Sequence, residues 1–113
     1  MAEFIYHIAV EQDWKNALEC GEYLAHSLQS EGFIHCSTGA QVVQTATRYF
    51  QGQSGLLLVK IDPRLAAAEV RYEPSQGELY PHLYGPLNLD AVVKVTRFDP
   101  DAEGNFHFPA NES

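Results

Sequence analysis

Three of the five histidines in this 113-residue chain stand in short apolar and aromatic runs. The runs are Ile5-Tyr6-His7-Ile8, Gly32-Phe33-Ile34-His35-Cys36-Ser37-Thr38 and Leu79-Tyr80-Pro81-His82-Leu83-Tyr84-Gly85-Pro86-Leu87. An imidazole can move a proton near neutral pH, ligate a metal or hydrogen-bond the edge of a flat ligand. Buried without partners for its ring nitrogens, it destabilises the fold. Three such runs predict imidazoles that converge on one polar-lined pocket. Period-two alternation sorts each run into faces. Phe33, His35 and Ser37 share one face, with Ile34 and Cys36 on the other. Tyr80, His82 and Tyr84 alternate with Leu79, Pro81 and Leu83, and His7 shares its face with Ile5. Histidines flanked by aromatic and hydroxyl groups suit stacking a ring and bonding its edges.

Each of these histidines also has a bland reading, a core ring bonded to a carbonyl and a hydroxyl. His26 and His107 lie in polar surroundings and are expected at the surface. Glu73 and Glu78 flank Pro74-Ser75-Gln76-Gly77; either could bring a carboxylate to the cleft, although a solvated loop charge is the commoner outcome. Ser37 lies two residues from His35 and merely shares its face. The chain has no nucleophile elbow, phosphate loop, dinucleotide fingerprint or zinc-protease motif.

The elements that must position these residues follow from the hydropathy pattern. Strands are expected at Glu3 to Ile8, Phe33 to Ser37, Leu56 to Ile61, Glu69 to Glu73, Leu79 to Leu83 and Ala91 to Phe98. Trp14, Ala17 and Leu18 at helical spacing predict a helix over Glu11 to Cys20, closed by Gly21 and with Trp14 in the core. Tyr23 to Leu28 suggests a short helical turn. Val42, Val43, Ala46, Tyr49 and Phe50 predict a second main helix, with Thr38 as its N-cap. Leu65 to Ala68 reads as one helical turn. Asp101, Glu103 and Gly104 surround a small hairpin. The order argues for an α+β fold with a mixed, mostly antiparallel sheet and two main helices in the N-terminal half. One globular domain over residues 1–108 is expected, with 109–113 a frayed tail.

Composition limits the partners. Seven basic residues face 15 acidic ones, a formal net charge of −8, and the basic residues form no run. Such a surface repels phosphate backbones, so large nucleic acids are not expected partners. Hydrophobic residues make up 45% of the chain, enough for a real core. Cys20 and Cys36 read as two buried thiols rather than a disulfide framework. No signal peptide or membrane span is expected, which makes a cytoplasmic location the default.

Over nearly its whole length the chain resembles the small bacterial family called domain of unknown function 952. The landmarks are Ile5-Tyr6-His7, Trp14, Gly32-Phe33-Ile34-His35-Cys36-Ser37, Arg71-Tyr72-Glu73 and Tyr80-Pro81-His82-Leu83-Tyr84-Gly85-Pro86-Leu87. More distantly, it is similar to the ADP-ribosyltransferase fold, nearest its RNA 2′-phosphotransferase branch. That resemblance implies a split sheet that binds NAD as substrate. It sets His7 against a ribose and His35 against nicotinamide, with Ser37 completing a His-x-Ser element. His82 or Tyr84 falls near the third catalytic strand. Ile8-Ala9 replace the Gly-Thr usual after the first histidine, and Ser30-Glu31-Gly32 lack the arginine expected of a phosphotransferase. RNA 2′-phosphate removal is therefore not expected.

The candidate catalytic residues are His35, His82 and Tyr84. The candidate ligand-binding residues are His7, Phe33, Ser37, Tyr80 and Glu73. The expected partner is a nucleotide-like small molecule. Three further readings stay open: a binding module without turnover, a metal centre built from His7, His35 and His82, and an interaction protein whose three histidines are all core groups.

Overall fold

The computed structural model describes residues 4–109, so the predicted strand start at Glu3 and tail residues 110–113 lie outside the described residues. The fold is α+β with antiparallel sheets, as the mostly antiparallel expectation has it, and every strand pair among the described residues is antiparallel. Strand β1, Ile5–Val10, runs straight into helix α1, Glu11–Cys20. Glu11 and Asp13 complement the dipole in the first turn. Gly21 closes the helix at φ 92°, its N–H on the Ala17 carbonyl. Where one helical turn was expected after it, a two-residue strand β2, Glu22–Tyr23, precedes a short helix α2, His26–Glu31.

The predicted strand over Phe33 to Ser37 is two strands. Ile34–His35, β3, pairs with β7, Glu78–Tyr84, in the register Ile34↔Leu83 and His35↔His82. Ser37–Thr38, β4, pairs with β1 instead, as Ile5↔Thr38 and Tyr6↔Ser37. At the crossing, the Cys36 N–H bonds the Pro81 carbonyl at 3.1 Å. One short segment thus ties two sheets together. The first sheet has the order β4-β1-β5-β9, with β5 at Leu56–Ile61 and β9 at Val92–Arg97. The second has the order β3-β7-β6, with β6 at Glu69–Ser75. A two-stranded ribbon joins β2 to β8, Leu87–Asn88.

Because β4 covers only Ile5 and Tyr6, no strand among the described residues pairs with that edge of β1 from His7 onward. There the two sheets part. Helix α3, Val42–Tyr49, begins later than a Thr38 cap would allow. Thr38 is in β4, and its N–H is bonded by the Gln41 side chain at 3.0 Å. Leu65 to Ala68 forms turns rather than a helix, since Asp62 accepts from the Arg64 N–H and already bends the chain.

Burial follows the strand period. On one side of the first sheet, Ile5 and Ala9 of β1 pack with Leu57, Val59 and Ile61, the core helix residues Trp14 and Ala17, and Ile34 and Leu83 of the second sheet. On the other, Tyr6 and Ile8 pack with Val42, Ala46, Leu56, Leu58, Phe98 and Phe106. Fully burying each aliphatic side chain stabilises by about 1.5–3 kcal/mol. Cys36 is buried, but Cys20, at the solvent end of α1, is exposed, contrary to expectation.

Candidate functional site

His7 stands in the apolar layer between Ile5 and Ala9, across from Val59. Its Nδ1–H donates to the His35 carbonyl at 2.6 Å, and its Nε2 accepts from the Tyr23 hydroxyl at 2.8 Å. Both partners fix the neutral tautomer, because a carbonyl only accepts and the phenol can donate. Burial holds its pKa down at about 4. His7 therefore pins β1, β2 and β3 together as an uncharged ring.

His35 and His82 are cross-strand neighbours, with ring centroids 5.5 Å apart at 80°. His35 is half exposed, and its Nε2 lies 3.1 Å from Glu31 Oε2, one turn earlier in the chain. Nδ1 of this ring has no partner among the described residues. His82 is buried against Phe33, whose ring stacks on it at 4.2 Å and 18°. Its Nδ1–H donates to Glu73 Oε1 at 2.7 Å, and the Tyr84 hydroxyl donates to the same oxygen at 2.6 Å. Those two bonds, Tyr84 first, hold the Glu73 carboxyl below the usual range, and the bond to Glu73 raises the Tyr84 phenol. The Arg71 guanidinium lies over the Tyr84 ring at 4.4 Å. With Nδ1 protonated and bound, His82 keeps Nε2 as a free acceptor among the described residues.

Where the sheets part, a cavity of about 500 Å³ opens. His7, His35 and His82 all line it, together with Ser37 and Tyr80. Phe33, Glu73 and Tyr84 do not; they stand behind His82 and fix its ring. Ser37 is engaged as well, its hydroxyl 2.9 Å from that of Thr45. Burial pushes the adjacent Cys36 thiol up to about 12, so it is no nucleophile. Among the described residues no three His, Cys, Asp or Glu side chains are placed to hold a metal ion.

The outer wall comes from residues the sequence reading passed over. Glu31 of α2, Arg48 and Tyr49 of α3, and Gln76 at the β6–β7 turn all line the cavity. Amphipathic spacing marks the buried face of α3 but not what its exposed last turn overhangs. Only the tertiary packing brings Arg48 to the histidines.

The sequence model of the family described as "Protein of unknown function (DUF952)" matches residues 8–95. The crystal structure of protein CC0527 from Caulobacter crescentus is similar at a TM-score of 0.84 with 32% identity, over 92% of this chain and 93% of that one. The solution NMR structure of the same Caulobacter crescentus protein gives a TM-score of 0.78 with 33% identity, over 90% of each chain. No curated protein matches the chain.

Proposed function

The chain belongs to the DUF952 family, and on that premise we propose that its split-sheet cleft binds NAD or a closely related nucleotide. The observation that carries this reading is the convergence of His7, His35 and His82, from three distant segments, on one cavity of about 500 Å³. That volume lies within the range of small-molecule sites. Two of the imidazoles keep a ring nitrogen free for a ligand, Nδ1 of His35 and Nε2 of His82. The resemblance to the ADP-ribosyltransferases adds the class of ligand.

Each residue then has a defined part. His7, with both nitrogens engaged, meets a ligand through its ring edge and holds the wall in place. His35, half exposed at the mouth, packs against a nicotinamide-like ring. His82 acts at the scissile glycosidic bond. There the bond from ribose C1′ to the nicotinamide nitrogen breaks, and the ring leaves with the electron pair. An acceptor hydroxyl bonds C1′, and its proton passes to His82 Nε2. Glu73, bonded to Nδ1, holds the tautomer that can accept it. Glu73 lies outside the cavity lining, so it orients the base rather than facing the sugar.

A second reading is binding without turnover. It is favoured by the engagement of both hydroxyl and thiol in the crossing segment, Ser37 on Thr45 and Cys36 in apolar burial. Calorimetry with NAD and ADP-ribose at millimolar concentration tests the shared premise. His35→Ala is expected to weaken binding about tenfold without unfolding the domain, since the ring is half exposed. Absence of heat with either ligand would overturn the proposal. Chromatographic detection of free nicotinamide separates the readings: loss of product in His82→Ala supports the enzyme, and binding with no product supports the module.

A further inference from the structure

Arg48 and Tyr80 carry polar groups that the fold itself does not use, and both line the cleft. We infer that through them the cleft grips an oxyanion, a phosphate or carboxylate borne by its ligand. The inference rests on the cleft being a ligand site, but not on the ligand being NAD.

The chain has seven basic residues. Lys15 reaches Glu11, Arg64 reaches Asp62, Arg71 reaches Glu69, and Arg97 reaches Asp99. Lys60 lies over the Phe4 ring, and Lys94 also has a partner. Among the described residues Arg48 is the one lysine or arginine side chain without a partner of any kind. In a chain with 15 acidic residues that is unexpected by numbers alone. Its place in the last turn of α3 suits the helix dipole, which explains a cation there but not why no carboxylate among the described residues pairs with it.

Tyr80 is the independent observation. The residue is 7% exposed, and its hydroxyl is the one buried side-chain nitrogen or oxygen without a hydrogen bond among the described residues. An orphaned buried hydroxyl destabilises a fold, and phenylalanine would keep the ring packing without it. Both groups have a hydrogen to donate; the guanidinium can do nothing else. The cavity wall contains a single carboxylate, Glu31, and His35 already holds it at 3.1 Å. Unused donors, and one acid already bonded to an imidazole, define a locally anion-tolerant hollow in a molecule of net charge −8.

The test is calorimetry or NMR titration of the full chain at low salt with inorganic pyrophosphate and, separately, succinate. At least one should bind in the millimolar range. Binding of pyrophosphate alone assigns a phosphate ester, and of succinate alone a carboxylate. Arg48→Ala should weaken that binding tenfold or more, and Arg48→Lys should restore part of it. Tyr80→Phe should weaken it severalfold while raising the melting temperature, a combination that a purely structural tyrosine does not give. The inference fails if neither anion binds, if Arg48→Ala binds as the parent does, or if Tyr80→Phe lowers the melting temperature. NAD binding that survives unchanged in Arg48→Ala, with no pyrophosphate binding in the parent, sinks the oxyanion grip and leaves the nucleotide reading intact. Arg48-dependent pyrophosphate binding without NAD binding does the reverse.

Discussion

At the scale of single residues, the three imidazoles have three different jobs, although the sequence presents them alike. His7 is buried with both nitrogens bonded, His82 has one nitrogen bonded to a carboxylate, and His35 is half exposed. Alternation along the strands is enough to say which face each ring takes. It says nothing about what that face meets, because the partners Tyr23 and Glu73 come from other segments. The pH response follows from these partners. The folded-state pKa of His7, about 4, lies below the 6.5 of an unfolded chain, so on acidification the unfolded state binds the proton first. The neutral ring thus supports folding fully above pH 6.5, and that support is lost as pH falls toward 4, by about 3 kcal/mol. Urea unfolding between pH 7.5 and 5 should show stability falling with acid. His7→Gln, about 2 kcal/mol less stable at neutral pH, should show a flatter slope. An unchanged slope in that variant would contradict the burial argument.

At the scale of elements, most of the strands and both main helices were legible, and the departures have identifiable causes. Leu56 to Ile61 and Glu11 to Cys20 form with the bounds that their hydropathy and flanking turns predict. The stretch from Phe33 to Ser37 reads as one strand because its side chains alternate. It forms two because its two halves find backbone partners in different sheets. The loop expected over Pro74 to Gly77 is tighter than that: β6 runs on through Ser75, and the β6–β7 hairpin reverses at Gln76-Gly77, where φ is 54° and 81°. At the other end of β7, Gly85 has a role the sequence does not reveal. A Cβ there would lie 2.8 Å from the Ala68 Cβ, inside contact distance. Gly85→Ala should destabilise by about 1–3 kcal/mol, measured by denaturant unfolding. Adding Ala68→Gly should recover a good part of that loss. No recovery in the double variant would place the strain elsewhere.

At the scale of the whole molecule, two sheets are stitched by one crossing segment, and the cleft is what remains open between them. Cys36 sits at the stitch, buried and with its thiol held near 12, whereas Cys20 is exposed. Native protein should therefore take up one equivalent of iodoacetamide at neutral pH, and a second only on unfolding. Two fast-reacting thiols in the native state would show that the stitch opens readily. No described helix is long and apolar enough to cross a membrane. By itself the sequence determined the α+β class, the main elements, the acidic surface and the histidine-bearing runs, because these follow from local periodicity and composition. It could not determine the parting of the sheets, the neutral state of His7, or the approach of Arg48 and Tyr80 to the same hollow. Those depend on which backbone edges pair across the chain, and pairing is settled by the packing of the whole rather than by any neighbouring residues.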